Sequence, residues 1–263
     1  MTFKSAEQIQ TAEGKQYHIG CKPGDLNPYI LLCGDPARVE KTAKHFKNPT
    51  KPICHREFVT VSGNYEGVPV SVMATGMGSD NTEIAVIEIC QIVKNPTFIR
   101  IGSCGGLKKG IALGDLVISQ GAVRLENTTS YFVCEGYPAV AHYEVVAALV
   151  AAAKELKHPF HLGLTATAPG FYGAQGRRIP GFSPLDPDLP QKLAAMNVSN
   201  LEMEASALFV LSHLRGVRAG AVCAVYGNRH ANKFIDEKMM KLAESRCIAT
   251  GLKAIAHLAK KHY

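Results

Sequence analysis

Apolar residues along the chain fall into short runs rich in β-branched side chains, separated by longer stretches in which they recur every third or fourth position. The run Tyr29 to Cys33 reads as a buried strand that ends at Gly34-Asp35-Pro36. Residues 37–46 then suit a helix, with Pro36 in the first turn, where a missing N–H does no harm. Val68 to Ala74 predicts a strand after the turn Asn64 to Gly67, and residues 80–93 an apolar-faced helix through Ile84, Ile87, Ile89 and Val93. Thr97 to Ile101 and Leu116 to Ser119 read as strands, residues 142–156 as a helix and Leu162 to Ala168 as a further strand. Residues 203–214 predict a helix, Ala219 to Val225 a strand and residues 237–260 a long terminal helix. Alternation of this kind argues for a single α/β domain around a mixed sheet. The stretch 169–190 has five prolines, four glycines and no period. It predicts a long ordered loop, a kind of segment that often carries function.

Composition adds a bound and an exclusion. With 46% hydrophobic and 19% charged residues in 263, the chain can bury a sizeable core. The net charge is +7, yet basic residues come singly or in pairs such as Lys108-Lys109, Arg177-Arg178 and Lys260-Lys261. That spread fits a small anionic substrate at least as well as a polyanion, and no nucleic-acid partner is expected. The polar start Met1 to Gln10 is not a secretory signal, and the longest apolar run, Val145 to Ala153, is too short for a membrane span. A soluble, cytoplasmic protein is expected. Eight cysteines form no C-x-x-C, and Cys33, Cys90 and Cys223 sit in apolar segments, so reduced core thiols are expected.

Four segments could carry chemistry. Gly34 at a strand end and Arg38 in the first turn of the next helix could clamp an oxyanion. Arg100-Ile-Gly-Ser103 brings a strand into glycines around a hydroxyl, a possible phosphate cradle. The same stretch, Gly102 to Gly106, also matches a cysteine form of the hydrolase nucleophile elbow, but that elbow needs a helix directly after it. Here Gly110 and Gly114 predict a turn into the next strand instead. Glu202 and Glu204 could be a glycosidase pair, acceptors for sugar hydroxyls, or the acidic first turn of a helix. Phe171, Gln175 and Arg177 could stack on and hydrogen-bond a planar heterocycle. Histidine and cysteine spacings build no metal site, and no Walker A or G-x-G-x-x-G sequence suggests a nucleotide cofactor.

In order, these segments resemble the nucleoside phosphorylase family of the trimeric/hexameric type, nearest to its uridine-cleaving members. The matching strings are H-I-G (18–20), G-D-P-A-R-V (34–39), H-R-E-F (55–58), T-G-M-G (75–78), R-I-G-S-C-G (100–105), G-D-L-V (114–117), F-Y-x-x-Q-x-R (171–177), E-M-E (202–204) and Asn228-Arg229. The resemblance implies a mixed sheet partly closed as a barrel and flanked by helices, over residues 17–263, with residues 1–16 as an extension. It implies phosphate at Gly34, Arg38, Arg100 and Ser103, with Arg56 lent by a neighbouring subunit. It implies ribose at Met203 and Glu204, with His18 from the neighbour, and the base at Phe171, Gln175, Arg177, Glu202 and Tyr226. Arg100, Ser103, Gln175 and Arg177 form the implied catalytic set, acting without a cofactor and with phosphate as co-substrate. Borrowed residues imply a homo-oligomer, a dimer at least and a hexamer by family habit.

Some positions depart from the family. Ser103 replaces the commoner threonine and keeps the hydroxyl, and Tyr226-Gly227 stands where small aliphatics are usual. Glu57 and Met77 match a monovalent-cation site of some members, but Asn81 stands where a serine is usual, so no metal is assigned. Purine-cleaving relatives use an aspartate near a strand end, and none occurs between Ala224 and Ile235. A water-using nucleosidase and a nucleoside-binding module are the remaining alternatives.

Overall fold

The computed structural model describes residues 4–261. The first segment predicted as a strand is β1 (Tyr29–Cys33), and Asp35 caps the helix that follows, α1 (Pro36–Ala43), by accepting from the Ala37 N–H at 2.9 Å. Then come β2 (Ile53–His55), β3 (Phe58–Tyr65), β4 (Val68–Ala74), α2 (Ser79–Ile92), β5 (Thr97–Gly106), β6 (Leu116–Arg124), β7 (Ala139–Val140) and α3 (Tyr143–Glu155). The second half holds β8 (Phe160–Thr167), α4 (Leu189–Ala195), β9 (Val198–Glu202), α5 (Ala205–Arg215), β10 (Arg218–Asn228), β11 (Lys233–Phe234) and α6 (Glu237–Lys260).

Among the described residues all eleven strands belong to one sheet, in the order β11-β10-β6-β8-β9-β5-β1-β4-β3-β2, with β7 on β6. An extra pairing of β10 with β5 closes β5, β9, β8, β6 and β10 into a ring. The expected mixed sheet, partly closed as a barrel and flanked by helices, is therefore present. Strand β5 is its hub: it runs parallel to β1 and β10 and meets β9 antiparallel at Gly105 and Gly106. Its side chains are buried apart from the half-buried Ser103. The β5–β10 register slips between Val225 and Gly227, which leaves Tyr226 as the extra residue of a bulge. Bulges re-aim side chains, and this one sits at the barrel rim.

Several elements escaped the hydrophobic pattern. Strand β5 continues past Ile101 because its second half is Gly102 to Gly106, which no apolar count detects. Strand β9 is buried throughout although Ser199, Asn200 and Glu202 are polar. Inside the barrel the Thr165 hydroxyl donates to Asn200 Oδ1 at 2.8 Å and is bonded to Ser119 Oγ at 2.6 Å, whereas Asn200 Nδ2 is buried without a partner among the described residues. Strands β2, β3, β7 and β11 were also unforeseen, and α4 begins inside the end of the expected 169–190 loop. Residues 4–16 fold back on themselves through a Gln10–Gln16 bridge, bury Thr11 and Gln16, and join the following segment through the Gln16 N–H to the Cys21 carbonyl at 2.8 Å, while residues 1–3 of the expected extension fall outside the described residues. Among the described residues no helix is long and apolar enough to cross a membrane. All eight cysteines are free thiols, six of them buried, with Cys54 and Cys134 exposed.

Helix α6 crosses the hub strand at Gly251, where a β-carbon would come within 2.5 Å of Ile101 Cγ2 and 3.3 Å of Leu31 Cδ2. Helix propensity favours alanine over glycine by about 1 kcal/mol, whereas overpacking a rigid core costs about 1–3 kcal/mol. Gly251→Ala is expected to destabilise the fold despite its helical position, measured as a lowered urea midpoint. A raised midpoint would show that the helix shifts freely on the sheet.

Candidate active site

The carboxyl ends of β1, β5 and β9, the bulge of β10 and the 169–190 loop converge on a cavity of about 500 Å³. Gly34 enters it because a side chain there would press on the Gly76 carbonyl oxygen, 3.1 Å from the position of a β-carbon. Arg38 is buried one turn into α1, with Nε donating to Glu244 Oε1 at 2.9 Å and Nη1 to the Ile101 carbonyl at 3.1 Å. Glu244 reaches in from α6 and also pairs with Lys41 Nζ at 2.5 Å. Its burial would raise its carboxyl pKa, but Lys41 and Arg38 outweigh that and hold it below the ordinary value. Burial pushes the phenol of Tyr226 up to about 12, with Arg38 opposing the shift.

Arg100 forms the centre. Its Nε donates to Glu202 Oε2 at 3.0 Å, and its Nη2 lies 2.5 Å from Glu204 Oε2. Burial alone would lower the Arg100 pKa, and the Glu204 and Glu202 carboxylates more than reverse it. Glu202 is also buried, and desolvation pushes its carboxyl up while Arg100 pulls it down. Its oxygens accept from Thr167 Oγ1 at 2.6 Å, from the Glu204 N–H at 2.9 Å and from the Ala205 N–H. Glu202 lines the cavity with both oxygens accepting from protein donors, and through them it orients Arg100 and the start of α5. Glu204 accepts from the Gly78 N–H at 2.7 Å through its other oxygen. The Met203 carbonyl accepts from Ser79 Oγ at 3.0 Å, which ties this strand–helix junction to α2.

Ser103 lines the cavity beside Arg100. The next residue, Cys104, packs with Ile111, Val117, Cys223 and Val225, and burial pushes its thiol well up. Strand β5 runs on to Gly106 and a turn follows, so the helix that a nucleophile elbow requires is missing.

At the far end, a short 3-10 turn over Gly173–Gln175 stops at Gly176, in the left-handed region at φ 65°. A β-carbon at Gly176 would lie 2.9 Å from the Asp186 carbonyl oxygen and 3.0 Å from that of Pro187, so both conformation and space call for glycine. The turn brings Gln175 and Arg177 together: Arg177 Nη1 donates to Gln175 Oε1 at 2.7 Å and to the Phe171 carbonyl. The guanidinium lies 3.6 Å over the Phe171 ring. Among the described residues Arg177 has no carboxylate partner; burial, followed by Arg229, pulls its pKa down to about 10.

Gly34, Arg38, Arg100, Ser103, Phe171, Gln175, Arg177, Glu202, Met203, Glu204 and Tyr226 thus share one cavity. His18 and Arg56 do not line it. His18 Nδ1 pairs with Glu88 at 2.6 Å, and Arg56, exposed and at φ 53°, lies over the Tyr17 ring at 4.9 Å. Sequence reasoning missed Glu244 and Phe234; a glutamate inside an amphipathic helix and a phenylalanine on a two-residue strand give no local sign of a site. Among the described residues no group of three or more His, Cys, Asp or Glu side chains could hold a metal ion.

A barrel-centred α/β fold with an arginine-rich cleft at its rim defines the class, and the chain belongs to the Phosphorylase superfamily, whose profile matches residues 28–256. The chain is 46% identical over 252 residues to a uridine phosphorylase of Thermococcus kodakarensis, covering 94% of this chain and 90% of that protein. It is 36% identical over 251 residues to the uridine phosphorylase of Escherichia coli K12, covering 92% and 97% of the two chains. A solved Trypanosoma brucei nucleoside phosphorylase, described as showing uridine phosphorylase activity, superposes with a TM-score of 0.88 at 27% identity, over 94% of this chain and 99% of the other.

The burial of Cys104 makes a prediction that needs no substrate. Iodoacetamide at pH 8 is expected to label the exposed Cys54 and Cys134 and to leave Cys104 unmodified in the folded protein, as read by peptide mass mapping. Rapid labelling of Cys104 would bring back the nucleophile reading.

Proposed function

We propose that this chain cleaves uridine with inorganic phosphate, giving uracil and ribose 1-phosphate. One observation carries the reading: a cavity of about 500 Å³ has the Arg38, Arg100 and Ser103 cluster at one end and the converged Gln175–Arg177 pair at the other. A nucleoside with phosphate beneath its sugar needs that separation of functions. The relatedness to uridine phosphorylases supports the same substrate.

In this reading phosphate lies against Arg38, Arg100, Ser103 and the Gly34 backbone. The Glu204 carboxylate, held by Arg100 and Gly78, accepts from the ribose 2′- and 3′-hydroxyls, with Met203 against the sugar. Phosphate attacks C1′ as the C1′–N1 bond breaks through an oxocarbenium-like state, and the bonding pair leaves with the base. Charge then grows on the uracil carbonyls. Gln175 donates to O2 and accepts from N3–H, while Arg177 donates to O4, so the leaving group is stabilised where its charge develops and no dedicated general acid is needed. Arg177 suits this task because no carboxylate neutralises it among the described residues.

His18 and Arg56 sit outside the cavity of their own chain, which supports their serving a neighbour's site. The proposed working form is therefore a homo-oligomer in the cytoplasm, a dimer at least and a hexamer by family habit; a fully active monomer in light scattering would contradict it.

Initial rates for uridine, cytidine and inosine at fixed phosphate test the substrate. Cytosine lacks the N3 proton and offers a donor where Arg177 also donates, which leaves buried polar groups unpaired and rejects the base by about 10⁴-fold. Uridine is expected to be cleaved, cytidine to be essentially ignored and inosine to be slower than uridine. Inosine faster than uridine would move the chain to the purine-cleaving branch.

A further inference from the structure

A second cavity, of about 660 Å³, adjoins the base end of the first, and Arg177, Gly227 and Phe234 line both. Where small aliphatic side chains are usual, this chain has the bulged Tyr226 and then Gly227. Gly227 pairs with Phe234 across the β10–β11 hairpin, and a β-carbon there would only touch the phenyl edge, at 3.5 Å from Cδ2. With no side chain at 227, the two spaces meet between the hairpin and Arg177.

The second cavity is lined by Arg177, Arg178, Arg229 and Lys233 beside one carboxylate, Asp188. Arg178 is matched by Asp188, with Nη2 to Oδ1 at 3.3 Å. Arg229 has no carboxylate partner among the described residues, and its Nη1 is buried with no hydrogen-bond partner. Its backbone N–H donates to the Gly106 carbonyl at 2.8 Å, and its Cγ packs over Gly105, 3.4 Å from where a β-carbon would stand. Lys233 and His230 complete the wall. Burial lowers the pKa of Arg229.

The orientation of the base in the proposed function decides what can reach this wall. With Gln175 on O2 and N3 and Arg177 on O4, the next ring atom is C5, and Arg177, the group that would hold O4, lines both cavities together with Gly227 and Phe234. We propose that this cavity is a subsite for an anionic group carried on C5 of the pyrimidine, so that uridines bearing a short carboxylate arm are cleaved in preference to their neutral counterparts. The bond broken remains C1′–N1 and the arm is unchanged. A carboxylate there accepts from Arg229 and Lys233, and charge-assisted hydrogen bonds are stronger than those made by an amide.

This inference rests on the uridine reading, and the test separates the two. Values of kcat/KM are compared for uridine, 5-carboxymethyluridine and the neutral 5-carbamoylmethyluridine at fixed phosphate. The acid is expected to exceed the amide by about tenfold, the scale of one net charged hydrogen bond. Lys233→Gln should reduce that ratio and Arg229→Gln bring it close to one. An acid no better than the amide, or a ratio unmoved in both variants, would overturn the subsite. If uridine itself is not cleaved, the activity reading has failed; calorimetric binding of acid against amide without phosphate then decides the subsite, equal affinities refuting it and tighter binding of the acid supporting it.

Discussion

The site depends on keeping a charged guanidinium inside the barrel rim. Arg100 is buried and is held by two carboxylates, Glu202 and Glu204, that are themselves buried. A buried ion is tolerable only when its partners are well placed and their remaining lone pairs are filled, and removing one partner costs about 3–5 kcal/mol. The surrounding structure supplies those conditions. Thr167 on β8 and the first N–H groups of α5 fill Glu202, and Gly78 at the start of α2 fills one oxygen of Glu204. Strands β5, β8 and β9 and helices α2 and α5 are tied to each other at this point, and ring closure brings the ends of β5 and β9 side by side.

Arg38 is held in the same way, by Glu244 from α6 and by a carbonyl of β5. The two arginines are thus placed by carboxylates that orient them before any anion arrives. The opposite end follows the reverse rule. Arg177 and Arg229 are cations without carboxylates among the described residues, and burial lowers both. The arginines with carboxylate partners thus stand at the end proposed for phosphate, Arg177 stands at the end proposed for the base, and Arg229 lines the adjoining cavity.

Much of this was legible before the structure, for identifiable reasons. Arg100 and Ser103 announce themselves because a β-branched run ends in glycines, and Arg38 because Asp35-Pro36 marks a helix start. Glu202 and Glu204 could not be told apart from spacing: the difference lies in which carboxylate is saturated, and Thr167, which does part of the saturating, is far off in sequence. Strand β9 was hidden by Ser199 and Asn200, whose partners Leu107 and Thr165 lie elsewhere in the fold. Glu244 gave no sign, since a helix of 24 residues carries many acids and only its crossing of the sheet selects one. His18 and Arg56 entered through family resemblance alone, and their own chain gives them other neighbours, Glu88 and Tyr17.

The central claim is that the arginine end of the cavity exists to hold phosphate as a nucleophile. Phosphorus-31 NMR of purified protein with uridine tests it directly, with the sugar product also identified. With phosphate present, a ribose 1-phosphate resonance should grow in step with the release of uracil, and without phosphate uridine should persist. Free ribose formed at the same rate in both samples would mean that water attacks, and would contradict the account.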